Sequence, residues 1–133
     1  MKIIDGKDAV LGRLASYVAQ EALKGEEIII LNCEQIKITG NKRFIQKDFE
    51  AKRGRVGSTQ NGPKVSRTSE KIVKRAIRGM LPNYRTGRGR EAFKRIKCYN
   101  SIPKEFEDKK KIVPGRKKTK ISSKFIRIKE IAK

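Results

Sequence analysis

Apolar and polar positions in the first forty residues predict a strand, a helix and a second strand in that order. Residues 2–5, KIID, are a short opening strand. Apolar side chains recur at helical spacing over residues 9–24, where Asp8 can cap the first turn and Gly25 can end the last. Residues 26–32, EEIIILN, are apolar on both faces, which is typical of a parallel sheet covered on both sides. Together these elements predict a right-handed β-α-β unit.

The middle of the chain predicts a short strand, a helix and a long loop. Residues 35–41, QIKITGN, form the strand and a turn. Residues 41–54 are helical, with Phe44, Ile45 and Phe49 facing inward. Residues 54–67 contain three glycines, one proline and no acidic residue, so they predict a basic loop of unusual length.

Residues 68–81 predict an amphipathic helix that begins at a Thr-Ser cap and ends before Pro82. One side carries apolar residues, namely Ile72, Val73, Ala76, Ile77, Met80 and Leu81. The opposite side carries a basic stripe of Lys71, Lys74, Arg75 and Arg78. A basic helix face is often merely solvated. Here, however, the stripe continues into a loop over residues 81–90, LPNYRTGRGR, which holds no acidic residue. This continuity favours a surface that follows phosphates.

The last third of the chain predicts less regular structure. Residues 95–99, RIKCY, form a strand, and residues 103–124 form an extended basic arm. The alternating pattern of residues 125–132 predicts a terminal strand or a short helix. The sequence shows no internal repeat and no sign of a second domain, so residues 1–133 are predicted to be one domain.

Charge narrows the function. The chain holds 35 Lys and Arg against 14 Asp and Glu, a formal net charge of +21. Residues 1–40 contain five basic and six acidic residues, which leaves 30 basic and 8 acidic residues for positions 41–133. A near-neutral third is therefore followed by a polycation, and a polyanion is needed to relieve its self-repulsion. Nucleic acid fits better than an anionic membrane, because the basic segments lack the bulky aromatic face of an interfacial helix.

Several other classes are excluded. The longest aliphatic run, residues 28–31, is far too short to span a bilayer, and residues 1–8 do not resemble a signal peptide, so a cytosolic protein is expected. There is no histidine, and Cys33 and Cys98 belong to no C-x-x-C pair, which excludes a zinc finger within this chain. The two cysteines are predicted to be reduced, buried thiols.

These residues also argue against an enzyme, because no carboxylate cluster could hold two metals and no Ser-His or Cys-His pair exists. Residues 87–92 match the dinucleotide pattern G-x-G-x-x-A, but no strand precedes them. Their glycines are interpreted as letting the backbone lie close to a phosphate that the arginines bind. Tyr84 and Tyr99 could stack on bases, yet the low aromatic content favours recognition of backbone shape.

Four stretches resemble the large-subunit ribosomal protein family numbered thirteen, in its archaeal form: IDGKDAVLGRLAS, ILNCEQIKITGN, RAIRGMLP and RGREAFKRIKCY. Residues 102–114, IPKEFEDKKKIVP, are similar to the archaeal and eukaryotic branch. The loop between Pro82 and Arg88 departs from the family pattern by one additional residue. The resemblance implies a single three-layer α/β/α domain with a small, mostly parallel sheet.

The resemblance also implies a structural constituent of the cytoplasmic large ribosomal subunit that binds large-subunit rRNA and supports assembly. Its partners would be that rRNA and neighbouring ribosomal proteins, with no cofactor, metal, membrane or small-molecule substrate. Two alternatives remain open at this point, an RNA-processing enzyme and a DNA-binding architectural protein. The RNA-binding residues predicted from resemblance and charge together are Arg13, Lys42, Arg43, Lys52, Arg53, Arg55, Lys64, Arg67, Lys71, Lys74, Arg75, Arg78, Arg85, Arg88, Arg90, Arg95 and Lys97.

Overall fold

The architecture is that of a small α/β domain, described by a computed structural model over residues 1–57, 62–114 and 124–132. Helices and strands are mixed along these ranges. In chain order they are β1 (Lys2–Asp5), α1 (Leu11–Leu23), β2 (Ile28–Leu31), β3 (Lys37–Thr39), α2 (Lys42–Gly54), α3 (Ser69–Met80), α4 (Gly87–Lys94), β4 (Ile96–Cys98), β5 (Phe125–Arg127) and α5 (Ile128–Ile131). The predicted α/β class is confirmed.

A parallel sheet with strand order β1-β2-β4 forms the centre of the domain. Ile3 is paired with Ile29, and Ile30 with Cys98. All four residues of β2 are buried, because this strand has a neighbour on each edge and a covered surface on each face. The predicted order of strand, helix and buried parallel strand is therefore confirmed.

The two faces of the sheet are covered differently. One face presents Ile28 and Ile30 to the main core, where they meet apolar residues of α1, α3 and α4. The other face presents Ile29 and Leu31 to a smaller cluster around Phe106, which lies in a single 3₁₀ turn. Within the described residues, the layer on this second face of the sheet is therefore a turn with its flanking loop, and not a long helix.

Part of the segment predicted as an extended arm, residues 103–124, covers the edge of β1. Ile112 pairs with Ile4 in parallel, and its backbone N–H donates to the Ile3 carbonyl at 2.8 Å. In return the Asp5 N–H donates to the Ile112 carbonyl at 2.9 Å. The backbone N–H and C=O groups of an exposed edge strand have no partners. The pairing with Ile112 provides hydrogen-bond partners for groups of this kind on β1. Residues 115–123 of the predicted arm lie outside the described residues.

The C-terminal residues form both of the elements proposed as alternatives. β5 pairs antiparallel with β3, with Ile38 opposite Ile126, and α5 follows at once. Ile126, Ile128 and Ile131 are buried, so this end of the chain returns to the domain. The short sheet and its helix therefore form part of the domain's apolar core.

The prediction that Asp8 caps the first helix is wrong. Asp8 adopts a left-handed conformation with φ of 58°, and extended Val10 is the residue that precedes the helix. The Asp8 carboxylate instead lies 2.8 Å from Lys37 Nζ and 3.6 Å from an Arg127 nitrogen. The hydrogen bond from Lys37, with the charge of Arg127, lowers the pKa of Asp8. Asp8 thus joins the loop before α1 to both strands of the second sheet.

The apolar side chains of α2 also differ from expectation. Asn41 caps this helix by accepting a hydrogen bond from the Arg43 N–H at 3.1 Å. Phe44, predicted to face inward, is 70% exposed, and Ile45 and Phe49 are only half-buried. Because no residue of α2 is buried, the helix lies on the periphery of the domain.

An ion-pair cluster at Glu21 should make stability depend on pH. The buried Glu21 carboxylate accepts hydrogen bonds from Lys2 and from Lys24, the latter at 2.7 Å, and the Lys2 bond is the main reason why its pKa is lowered. A lowered carboxylate pKa adds stability above the unfolded-state pKa, and this stability is lost as pH falls through the folded-state pKa. In urea unfolding, the free energy of unfolding of Glu21→Gln should therefore fall less between about pH 5 and about pH 2 than that of the parent chain.

The exposed Glu27→Gln variant removes the same charge and is the control. It should keep the acid sensitivity of the parent chain. Equal acid sensitivity in Glu21→Gln and the parent would contradict the assigned role of Glu21.

Candidate nucleic-acid interface

The α3 helix has its apolar side in the core and its basic side outward. Ile72, Val73 and Ile77 are buried against α1 and β4. Since the helical repeat fixes the opposite side once this face is buried, four cations line up toward solvent. They are Lys71, Lys74, Arg75 and Arg78, which are exposed or half-buried. Met80 departs from the predicted apolar face, because it is 46% exposed.

The segment predicted as a basic loop, residues 81–90, is only partly a loop. Thr86 precedes α4, which begins at Gly87, so Arg88 and Arg90 lie in the first turn of a helix. Both side chains are exposed. Their position at the positive end of the α4 dipole adds to the local positive potential.

Gly89 has a packing role that sequence reasoning missed. A Cβ built on this residue would lie 2.4 Å from the Pro82 carbonyl oxygen and 2.5 Å from that of Asn83. The glycine therefore lets α4 pack against the preceding turn, which is a reason for a glycine at this position that involves no phosphate. Gly87 has a φ of 56°, which favours glycine, and the space beside it is open.

Aromatic rings hold several of these cations in place. The Arg78 guanidinium carbon lies 4.6 Å from the Tyr84 ring centroid, and that of Arg85 lies 5.6 Å away. Lys74 Nζ lies 4.9 Å from the Phe93 centroid. The two rings meet edge to face with centroids 6.3 Å apart. Arg85 Nε donates to the Tyr84 hydroxyl oxygen at 3.3 Å, and this bond is the main cause of a lowered Tyr84 pKa.

Two shallow cavities lie along the same side of α3. One, of about 170 Å³, is lined by Ser66, Lys71, Lys74, Arg75, Arg78 and Phe93. The other, of about 310 Å³, is lined by Glu70, Lys71, Lys74, Lys97, Cys98 and Tyr99. The structure thus brings the predicted residue Lys97, from β4, next to the basic stripe. Arg75 also donates to the Lys64 carbonyl at 3.1 Å, which ties residues 62–67 to α3.

Four of the predicted binding residues already have partners within the domain. Lys42 pairs with Glu130, Lys52 with Asp48 at 2.6 Å, and Arg95 with Glu91 at 3.7 Å. Half-buried Arg53 donates to the Ile131 carbonyl at 2.8 Å, which joins α2 to α5. Arg13, in the first turn of α1, and Arg43, Arg55 and Arg67 are exposed. Three of the predicted cations are therefore ion-paired within the domain, and Arg53 is held at the end of α5.

The cysteines come together although they are distant in the sequence. Both are free thiols, with Cys33 buried and Cys98 half-buried. A hydrogen bond between the two side chains, and then burial, raise the pKa of Cys33. A raised thiol pKa keeps the group protonated and poorly nucleophilic. This agrees with the prediction of reduced thiols for Cys33, while Cys98 is less buried than expected.

The described ranges, residues 1–57, 62–114 and 124–132, offer neither a metal site nor a membrane-spanning helix. No group of three or more Cys, Asp or Glu side chains there is arranged to hold a metal ion. Across the same ranges no helix has the length and apolar character needed to cross a membrane.

In the described part of the chain, this is a small α/β domain with an outward basic helix whose cations Lys71, Lys74, Arg75 and Arg78 make no ion pair. Such a surface is suited to a polyanion. The chain belongs to the ribosomal protein L13 family, whose model matches residues 1–105. This is a family of ribosomal structural proteins and not of enzymes, so the predicted family and the predicted absence of enzymatic function are confirmed by it.

Archaeal relatives support the same assignment over nearly the whole chain. A protein of Methanocaldococcus jannaschii, described as large ribosomal subunit protein uL13, is 46% identical over 115 residues, covering 84% of this chain and 83% of its own. Proteins with the same description from Methanosarcina barkeri and Methanococcoides burtonii are 41% and 38% identical, and cover 99% and 100% of this chain. Their alignments span 95% and 96% of the relatives themselves.

The close packing at Gly89 can be tested by substitution. Gly89→Ala should destabilise the domain by about 1 to 3 kcal/mol, because the new methyl group meets two backbone carbonyls that cannot easily move. Gly79→Ala is the matched control, since Gly79 lies in α3 with no atom within 4 Å of a built Cβ. It should stabilise by about 0.5 to 1 kcal/mol. Thermal or urea unfolding measures both, and equal effects in the two variants would contradict the packing role.

Proposed function

We propose that this chain is a structural constituent of the large ribosomal subunit that binds large-subunit rRNA and supports subunit assembly. The observation that carries the proposal is the run of outward cations along α3 and the first turn of α4. Membership of a ribosomal structural family and the printed descriptions of the archaeal relatives support it. Under this proposal the chain works in the cytoplasm, beside rRNA and neighbouring large-subunit proteins.

The proposed RNA contact has a centre and a periphery. The centre consists of residues that face outward from α3, α4, the turn between them and β4, namely Lys71, Lys74, Arg75, Arg78, Arg85, Arg88, Arg90 and Lys97. The periphery consists of Arg13, Arg43, Arg55, Lys64 and Arg67. Lys42, Lys52 and Arg95 would contribute less, because a carboxylate of the domain already pairs with each of them. Arg53 would also contribute less, because it is half-buried and its bond to the Ile131 carbonyl holds it between α2 and α5.

Electrostatic attraction to the phosphate backbone would dominate affinity. Binding that neutralises about 6 to 10 phosphates loses roughly 10³- to 10⁵-fold in affinity between about 50 and 200 mM salt. Since cations greatly outnumber aromatic residues on this surface, backbone shape would be recognised more than base sequence. Neutralising phosphates where RNA segments approach one another is how such a protein would assist assembly.

A double substitution tests whether α4 takes part. Arg88→Ala with Arg90→Ala should weaken binding to a structured large-subunit rRNA fragment, because two phosphate contacts are lost. The slope of log affinity against log salt should become shallower by about two. Filter binding or fluorescence anisotropy over a salt series measures both quantities.

The control removes the same formal charge elsewhere. Lys7→Ala with Lys24→Ala takes two cations from the near-neutral N-terminal third and should leave the slope close to that of the parent chain. If the two double variants behave alike, α4 is not at the interface. Tighter binding to duplex DNA than to structured RNA in competition would favour an architectural DNA-binding protein instead.

A further inference from the structure

Three cations of α3 are held by partners that carry no charge. Lys74 lies against the Phe93 ring at 4.9 Å, and Arg78 against the Tyr84 ring at 4.6 Å. Arg75 donates to a backbone carbonyl at 3.1 Å. Within the described ranges none of the three makes an ion pair, whereas Lys2, Lys24, Lys37, Lys42, Lys52, Arg95 and Arg127 all do.

The choice of partner determines how much charge is left for a ligand. A carboxylate restrains a lysine or arginine but cancels its charge, whereas an aromatic ring or a carbonyl restrains the side chain without cancelling it. Long basic side chains lose much conformational freedom when a ligand immobilises them. Restraining them before binding removes part of that loss, so the same contacts give higher affinity.

These restrained cations meet at the smaller cavity. All three line the volume of about 170 Å³, together with Lys71 and the hydroxyl-bearing residue Ser66. The positive groups and the neutral donor can all reach the two free oxygens of a negatively charged backbone phosphate, whereas a cavity of this size is small for a whole nucleotide. Phe93, which holds Lys74, also lines it.

We infer that this cavity is a preorganised site for a single backbone phosphate of RNA, and that Tyr84 and Phe93 are positioning residues that act through Arg78 and Lys74. The inference rests on the proposed function and specifies one contact within it. The ligand of this site would be a phosphodiester, which the positive charges attract and the hydrogen-bond donors orient.

The same geometry gives Tyr84 a role other than stacking on a base. Arg78 and Arg85 both lie within 5.6 Å of its ring centroid, and Phe93 meets it at an interplanar angle of 61°. A base that stacked there would compete with Arg78 for contact with the ring. The role of Tyr84 is therefore to position Arg78 and Arg85, although the sequence made it a candidate for stacking on a base.

The test uses two substitutions of Tyr84 that keep the formal charge. Tyr84→Leu removes the ring, and should weaken binding to a structured large-subunit rRNA fragment by about three- to ten-fold at every salt concentration. Its salt slope should stay close to that of the parent, because the same number of cations still meets phosphate. Tyr84→Phe keeps the ring and loses only the hydroxyl, so it should bind as the parent does.

Phe125→Leu is the matched control. Lys37 Nζ lies 4.4 Å from the Phe125 ring centroid, but Lys37 is already paired with Asp8. Losing that ring should leave RNA affinity unchanged. Circular dichroism and thermal unfolding of each variant show that the domain is folded under the binding conditions, so that a loss of affinity reports on the site.

Each result either supports or overturns the inference. Parent-like affinity in Tyr84→Leu overturns it, as does an equal loss in Tyr84→Leu and Tyr84→Phe, which would assign the effect to the hydroxyl. Both of those results leave the proposed function standing, because the parent chain still binds RNA. If the parent chain does not bind structured RNA at all, the proposed function fails as well.

Discussion

The amphipathic geometry of α3 is the constraint that connects the core of this domain to its charged surface. Ile72, Val73 and Ile77 are fixed in the apolar interior, where they meet α1 and the sheet. Because a helix cannot rotate without removing these side chains from the core, its basic side is held in one direction. The position of the cations is therefore maintained by the free energy of apolar burial, and not by contacts among the cations themselves.

The uneven distribution of charge along the chain agrees with this separation of an apolar core from a charged surface. The near-neutral first forty residues supply β1, α1, β2 and β3, and more than half of the buried apolar residues in the described part of the chain. Within the described residues, the ion pairs involve cations outside α3, while the central cations of α3 have rings and a carbonyl as partners. Such an arrangement keeps a strong positive potential at the cost of self-repulsion, which a bound polyanion relieves.

Much of the fold could be predicted from local pattern, because the strongest elements have unambiguous periodicity. Residues 28–31 are all apolar, which indicates a buried strand, and the apolar and basic residues of α3 recur at helical spacing, which indicates an amphipathic helix. The start of α3 after Thr68 was also predicted, since Thr favours this position, although the Thr68 side chain makes no capping hydrogen bond.

The errors involved contacts between residues distant in the sequence. Asp8 has a capping residue's chemistry, but its partners Lys37 and Arg127 come from strands that only the folded chain brings near. The pairing of Ile112 with β1 and the role of Arg53 at the α5 carbonyl likewise depend on tertiary structure. Gly89 could have been questioned from sequence, because a glycine inside a helix usually has a packing reason.

Sedimentation of a native lysate tests the central claim most directly. The chain would be followed through a sucrose gradient, and the ribosomal fractions would then be washed with rising concentrations of salt. The account predicts that the chain migrates with the large subunit and remains bound through a moderate salt wash. A chain found free, or associated with DNA, would contradict a structural role in the subunit.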